Sequence, residues 1–66
     1  MSAFGSELIV DSHFDEHLKK SIPVQIYYKG LHEQIGRITA YDRFFVEVEG
    51  TLYNRKIFTF ISRPGY

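Results

Sequence analysis

The chain has no cysteine, which removes disulfides and any thiolate zinc site from the account. It has no excess of either charge, since eight Lys and Arg balance eight Asp and Glu. Proteins that coat nucleic acid draw their affinity from phosphate neutralisation and carry a basic excess. Neutrality therefore counts against non-specific DNA coating, although a local basic patch remains open. No apolar run approaches the roughly 20 residues that a membrane-crossing helix needs. No signal-peptide pattern opens the sequence, so the expectation is a cytoplasmic protein with no membrane partner. The chain also lacks a glycine-rich phosphate loop, a paired-carboxylate arrangement and a serine in a nucleophile context. The expectation is a protein that is not an enzyme and carries no cofactor.

What the chain does have is rings. Six Phe and five Tyr stand among 66 residues, more large rings than one tiny core hides. The surplus is expected at a subunit interface or on a ligand face. A chain of about 60 residues buries only about 60 % of the surface it exposes when unfolded. With disulfides excluded, oligomerisation is the expected supplement to its stability.

The hydrophobic pattern gives one helix followed by strands. Ser12 is placed to cap a helix, Asp15 and Glu16 suit its first turn, and Lys19 and Lys20 suit its last. Phe14, Leu18 and Ile22 recur every four residues as an apolar stripe. Pro23 ends the helix near Lys20 or Ser21. Leu8-Ile9-Val10 reads as a short strand or as the first turn of that helix.

From Val24 the period becomes two, with Val24, Ile26 and Tyr28 on one face and Gln25, Tyr27 and Lys29 on the other. Lys29-Gly30 makes a turn into a second strand over about Glu33 to Tyr41, in which Gly36 marks a bend or a close backbone approach. A third strand, Phe44 to Glu49, sets Phe44, Val46 and Val48 against Phe45, Glu47 and Glu49. Glu49-Gly50 marks another tight turn. Thr51 to Ser62 supplies one or two more strands, with Asn54-Arg55-Lys56 as a break. So short a meander cannot bury its inner face as a flat sheet and is expected to curl. The fold expected is all-β, a small Sm/SH3-like five-stranded barrel with a short N-terminal α-helix. Residues 1–11 form a flexible arm or short edge segment, 12–62 the barrel domain with its helix, and 63–66 a tail.

Three stretches carry a resemblance to a known family. Phe14-Asp15-Glu16-His17-Leu18-Lys19-Lys20, Ile22-Pro23-Val24-Gln25-Ile26-Tyr27 and Gly36-Arg37-Ile38-Thr39-Ala40-Tyr41-Asp42-Arg43-Phe44 stand in order. They resemble the Sm-like family, bacterial Hfq type, whose pattern runs F-x-x-x-L with basic residues, V-P-V-x-I-Y, then G-x-I-x-x-F-D-x-F. The likeness covers about half the chain. Its turn glycine, Gly30, sits one place early. The family's Y-K-H triplet is missing, with Asn54-Arg55-Lys56 or Ile57-Phe58-Thr59 in its place. The strand after it, which closes the subunit ring in that family, is shortened. Tyr27-Tyr28, Ile35-Gly36, Ile38, Asp42, Ile57-Phe58 and Ile61 are also similar to the YolD-like proteins, small chains suspected to accompany lesion-bypass polymerases.

The Hfq resemblance implies a homo-oligomer, a ring or a dimer, that binds single-stranded RNA in a regulatory role. It puts Tyr27 where an adenine stacks on the strand face, and Arg43 with Phe44 where a uridine pocket lines the pore. Lys19, Lys20, Arg55 and Lys56 are the candidates for a basic rim repeated around the ring. Each has a plainer alternative: Tyr27 at an interface, Phe44 in the core with Val46 and Val48, and the four cations as a solvated face. The YolD-like similarity implies a protein-interaction module instead, a polymerase accessory or an inhibitor of another protein. A small nucleotide held between subunits is a third possibility.

Two further residue sets are read without the family. Asp42 is expected to accept hydrogen bonds from backbone N–H groups in an Asx-type turn. His13 and His17 stand four apart on the helix, yet the H-E-x-x-H pattern is absent and no third ligand is evident. No metal site is therefore expected.

Overall fold

A computed structural model describes residues 5–66. The first four residues of the expected N-terminal arm lie outside the described residues. Helix α1 (Asp11–Lys19) is followed by β1 (Val24–Tyr28), β2 (Leu31–Gly36), β3 (Ile38–Tyr41), β4 (Phe45–Val48), β5 (Thr51–Asn54) and β6 (Thr59–Ser62). The strands form two antiparallel three-stranded sheets, ordered β2-β1-β6 and β3-β4-β5. The domain is thus mostly β with one short helix, and neither sheet closes into a barrel. No helix among the described residues is long and apolar enough to cross a membrane.

The expected second strand, Glu33 to Tyr41, is corrected in its continuity. It begins at Leu31 and breaks at Arg37, so its halves belong to different sheets. The break falls where the chain is pressed from one side. A Cβ on Gly36 would lie 2.6 Å from Cγ of Glu49, whose carboxylate accepts the Arg37 backbone N–H at 3.2 Å. Two of the three hairpins, β1-β2 and β4-β5, turn through two residues in left-handed conformations, Lys29-Gly30 with φ of 50° and 82°, and Glu49-Gly50 with φ of 50° and 84°. Positive φ at both positions is the type I′ signature, which matches the twist of the flanking strands.

Helix α1 starts one residue before the expected cap. Val10 is its N-cap and offers no side-chain oxygen. The His13 ring reaches back instead, its Nδ1 accepting the Ile9 N–H at 3.0 Å. At the other end Ile22 N–H donates to the His17 carbonyl and Ser21 N–H to that of Leu18, with Ser21 at φ 54°. Those two bonds make a Schellman ending, and Pro23 follows as expected.

One core serves both sheets and the helix: Leu8, Phe14, Val24, Ile26, Ile38, Val46, Val48, Tyr53 and Phe60. Phe60 of the first sheet meets Phe14 of the helix edge-on at 5.4 Å, and Tyr53 of the second sheet at 6.4 Å. The helix also buries His17 completely. Its Nδ1–H donates to the His13 carbonyl at 2.7 Å, and its Nε2 accepts the hydroxyl of buried Ser62 at 2.7 Å. Burial of so polar a ring is tolerated because both nitrogens are satisfied. Among the described residues no three potential ligands cluster as a metal site.

The outer edge of β6 is occupied by the chain itself. Gly5 N–H donates to Ser62 O at 2.7 Å, Ser62 N–H to Ser6 O at 2.7 Å, and Leu8 N–H to Phe60 O at 2.8 Å. Glu7 bridges Ile61 between them.

Candidate nucleic-acid interface

The outward face of the first sheet is built by strand register. Tyr27 stands between His32 and Thr59, and Gln25 between Ile35 and Ile61. Their neighbours Val24 and Ile26 point the opposite way into the core at zero exposure. Tyr27 is half-buried, and its ring meets that of His32 at 6.3 Å and 79°. So steep an angle means the two rings do not cover each other face to face.

A polar ladder runs beside that tyrosine. Arg63 Nε donates to Gln25 Oε1 at 2.8 Å, and the Gln25 amide lies 2.9 Å from His32 Nδ1. Arginine has only donors, so the oxygen of Gln25 must face it. The amide nitrogen then faces His32 and donates to Nδ1. Gln25, His32 and Arg63 were not among the candidates drawn from the sequence. His32 was legible, because a two-residue turn at Lys29-Gly30 sets it opposite Tyr27. Arg63 was not, because its place depends on the return of β6 from far along the chain. Tyr28, expected on the inner face, is half-buried after a register irregularity at Ile26/Tyr27. Its ring lies 5.5 Å from Phe58, and Lys29 Nζ stands 5.5 Å over it.

Arg43 and Phe44 sit elsewhere, in the turn between β3 and β4. Asp42 Oδ1 accepts the N–H of Phe44 at 2.8 Å and of Phe45 at 2.7 Å. These amides, Phe45 first, hold the Asp42 carboxyl below its ordinary value. The core alternative for Phe44 is overturned, because the residue is 57 % exposed. The turn takes up its N–H, so the alternation starts at Phe45 and only Val46 and Val48 face inward. Arg43 lies over the Phe44 ring at 5.7 Å.

The four rim cations do not converge. Arg55 is a structural tie: its Nη1 reaches Asp11 Oδ1 and the Asp42 carbonyl at 2.7 Å each. Its guanidinium lies 4.4 Å from the Phe14 ring centre, and its side chain is only 12 % exposed. Lys56 beside it is exposed. Lys19 and Lys20 stand at the far end of α1, which at 1.5 Å per residue is about 13 Å long. Lys19 pairs with Asp15 at 2.9 Å and Lys20 with Glu16 at 3.4 Å. The Lys19 ammonium, then the Tyr41 hydroxyl, hold the Asp15 carboxyl below its usual range. Burial, followed by Asp15, pushes the Tyr41 hydroxyl up.

What the structure brings together around Arg55 is Arg43, Phe44 and Lys56 with the exposed Ile9 and Val10. That surface sets apolar side chains beside one tied-down cation, Arg55, and two exposed ones, Arg43 and Lys56, whereas the Tyr27 surface combines rings, amide and guanidinium. No family model, curated protein or solved structure matches the chain.

Proposed function

We propose that the chain is a non-catalytic, Hfq-like regulatory module that takes single-stranded RNA on the outward face of its first sheet. The observation that carries this reading is Tyr27 on that face beside the Arg63–Gln25–His32 ladder. A ring there offers a stacking platform worth about 1–3 kcal/mol per base. Gln25 and His32 offer hydrogen bonds to base edges, and Arg63 offers charge to a phosphate. Phosphate contacts from Lys19, Lys20, Lys56 and Arg43 are secondary in this reading, and Arg55 contributes by holding the scaffold.

The proposed frame is a small Sm-type barrel whose two halves are the two sheets. Two features support it: only Arg37 separates β2 from β3, and β6 returns to pair with β1 rather than with β5. Homo-oligomerisation is part of the proposal and is supported by the exposed apolar side chains Ile9, Val10, Phe44, Leu52 and Ile57. A ring joined through the β6 edge requires Gly5–Leu8 to leave it.

The test is anisotropy of labelled single-stranded A-rich and U-rich oligonucleotides across a salt series. The reading expects micromolar binding that weakens as salt rises. Tyr27→Ala is expected to weaken it about 5- to 150-fold, the equivalent of one lost stack. No salt-dependent binding at micromolar protein would sink the reading. A second reading, a protein-interaction module of the accessory or inhibitor kind, is favoured by the apolar surface around Arg55. Association through that surface would persist at high salt and fail on Phe44→Ala.

A further inference from the structure

Beyond the Tyr27 face, two adjoining clefts of about 370 Å³ and 310 Å³ share Pro23, Arg37 and Tyr66. They open where the end of α1, the β2-to-β3 crossing and the C-terminal turn meet. Lys20 lines the larger cleft, and Ile35 and Glu49 line the smaller. Tyr66 is 74 % exposed. Arg37 anchors through Nε on the Ser21 carbonyl at 3.1 Å. Among the described residues, no carboxylate pairs with its guanidinium. The one acidic side chain lining the clefts, Glu49, accepts the Arg37 main-chain N–H at 3.2 Å, beside Gly36.

The groove therefore combines the Arg37 guanidinium, the Lys20 ammonium (which also meets Glu16 at 3.4 Å on the exposed helix surface), an exposed ring and an apolar floor at Pro23. Cations with an aromatic platform match a phosphate with a planar base attached. The groove also continues the outward face of the first sheet. Ile35, in its wall, pairs with Gln25, and Gln25 is two residues from Tyr27 on that same face. Pro23 and Tyr27 are four residues apart along an extended strand, roughly 13 Å.

We propose that this groove is a second nucleotide subsite, in which Arg37 and Lys20 hold a phosphate and the Tyr66 ring stacks its base. It rests on the RNA reading, supplying the adjoining nucleotide of a strand whose neighbour lies on Tyr27. Its specificity is for a phosphorylated nucleoside, since an uncharged base leaves both cations unused and inorganic phosphate leaves the ring unused.

The experiment is an amide-resolved NMR titration of the full chain with 5′-AMP, with inorganic phosphate and adenine as separate probes. Saturable shifts are expected at Lys20, Arg37 and Tyr66 with 5′-AMP, and weaker ones with either half alone. Tyr66→Ala alters an exposed side chain and leaves the core intact, and Arg37→Gln removes the charge. Each is expected to weaken the 5′-AMP response of the groove at least fivefold, while Thr51→Ala, an exposed position on the second sheet, leaves it within twofold. Absence of saturable groove shifts, or a loss confined to Tyr27→Ala, overturns the proposal. An A6 oligonucleotide separates it from the parent reading. If A6 binding depends on Tyr27 and is untouched by Arg37→Gln and Tyr66→Ala, the groove fails and the RNA reading stands. If 5′-AMP fills the groove while A6 does not bind, the groove stands and the RNA reading fails.

Discussion

The two sheets are alike in size and unlike in how their borders are finished. In the first, β6 has its outer edge paired with Gly5–Leu8, and the outward face carries a hydrogen-bonded Arg63–Gln25–His32 ladder. In the second, no described residue pairs with the outer edge of β5. Leu52 and Phe45 lie outward on that sheet, and Phe44 stands free in the turn beside it. Its strongest cation, Arg55, is spent on Asp11 and the Asp42 carbonyl. The lesson is that exposed rings alone do not identify a ligand surface. What distinguishes Tyr27 from Phe44 is the chemistry around the ring: an amide, an imidazole and a guanidinium joined by hydrogen bonds in one case, a lone exposed cation among apolar side chains in the other.

The comparison depends on both sheets sharing one core, and the largest expected effect tests that. Phe60→Ala should cost about 3–5 kcal/mol, against a total of about 3–10 kcal/mol for a domain of this length. Because Phe60 touches both Phe14 and Tyr53, loss should be a single cooperative transition in circular dichroism and in tyrosine fluorescence. Two separate transitions would mean that the sheets are independent. Leu8→Ala comes next, at the low end of about 2–5 kcal/mol, since a chain end relaxes around the loss. It should also release the strand over β6, so hydrogen exchange at the Ser62 amide accelerates and sedimentation becomes concentration-dependent. Unchanged exchange at Ser62 would show that the edge owes nothing to this segment.

A smaller effect belongs to the helix side of the first sheet. His17→Leu strands the buried Ser62 hydroxyl and should cost about 1–3 kcal/mol. Adding Ser62→Ala should recover most of it, because removing both partners leaves no unpaired group. Additive losses in urea melts would argue that the pair is not coupled.

The smallest effect tests the second sheet's turn. Asp42 is depressed in the folded state by the Phe45 and Phe44 amides. Its contribution is therefore complete above the ordinary aspartate value near 4, and it is lost as pH falls through the lower folded value. Asp42→Asn keeps an acceptor oxygen and should flatten that acid limb. An acid limb identical to the parent's would show that the turn does not draw on the charge.

Local features were legible in the sequence wherever a few neighbouring residues decide them. Pro23 fixed the helix end, Lys29-Gly30 and Glu49-Gly50 gave two hairpins, and Asp42 gave its own turn. Alternation at Val24 and Ile26 placed Tyr27 outward. The rest was decided by residues distant in sequence. His17 joins the core because Ser62 meets it 45 residues later. Arg55, read as a rim cation, is pulled inward by Asp11, 44 residues earlier. Alternation extended one residue too far at Phe44, because a turn and a strand compete for the same N–H. Gly36 marked the bend in the second strand, but not that the strand divides there between two sheets or that Glu49 is what approaches it.

Whether the ligand surface lies on the first sheet is decided by an amide-resolved NMR titration with a single-stranded RNA oligonucleotide. The account predicts saturable, salt-sensitive shifts at Gln25, Tyr27, His32 and Thr59, with those around Ile9, Phe44 and Ile57 unmoved. Shifts confined to the surface around Arg55, or no shifts at all, would contradict it.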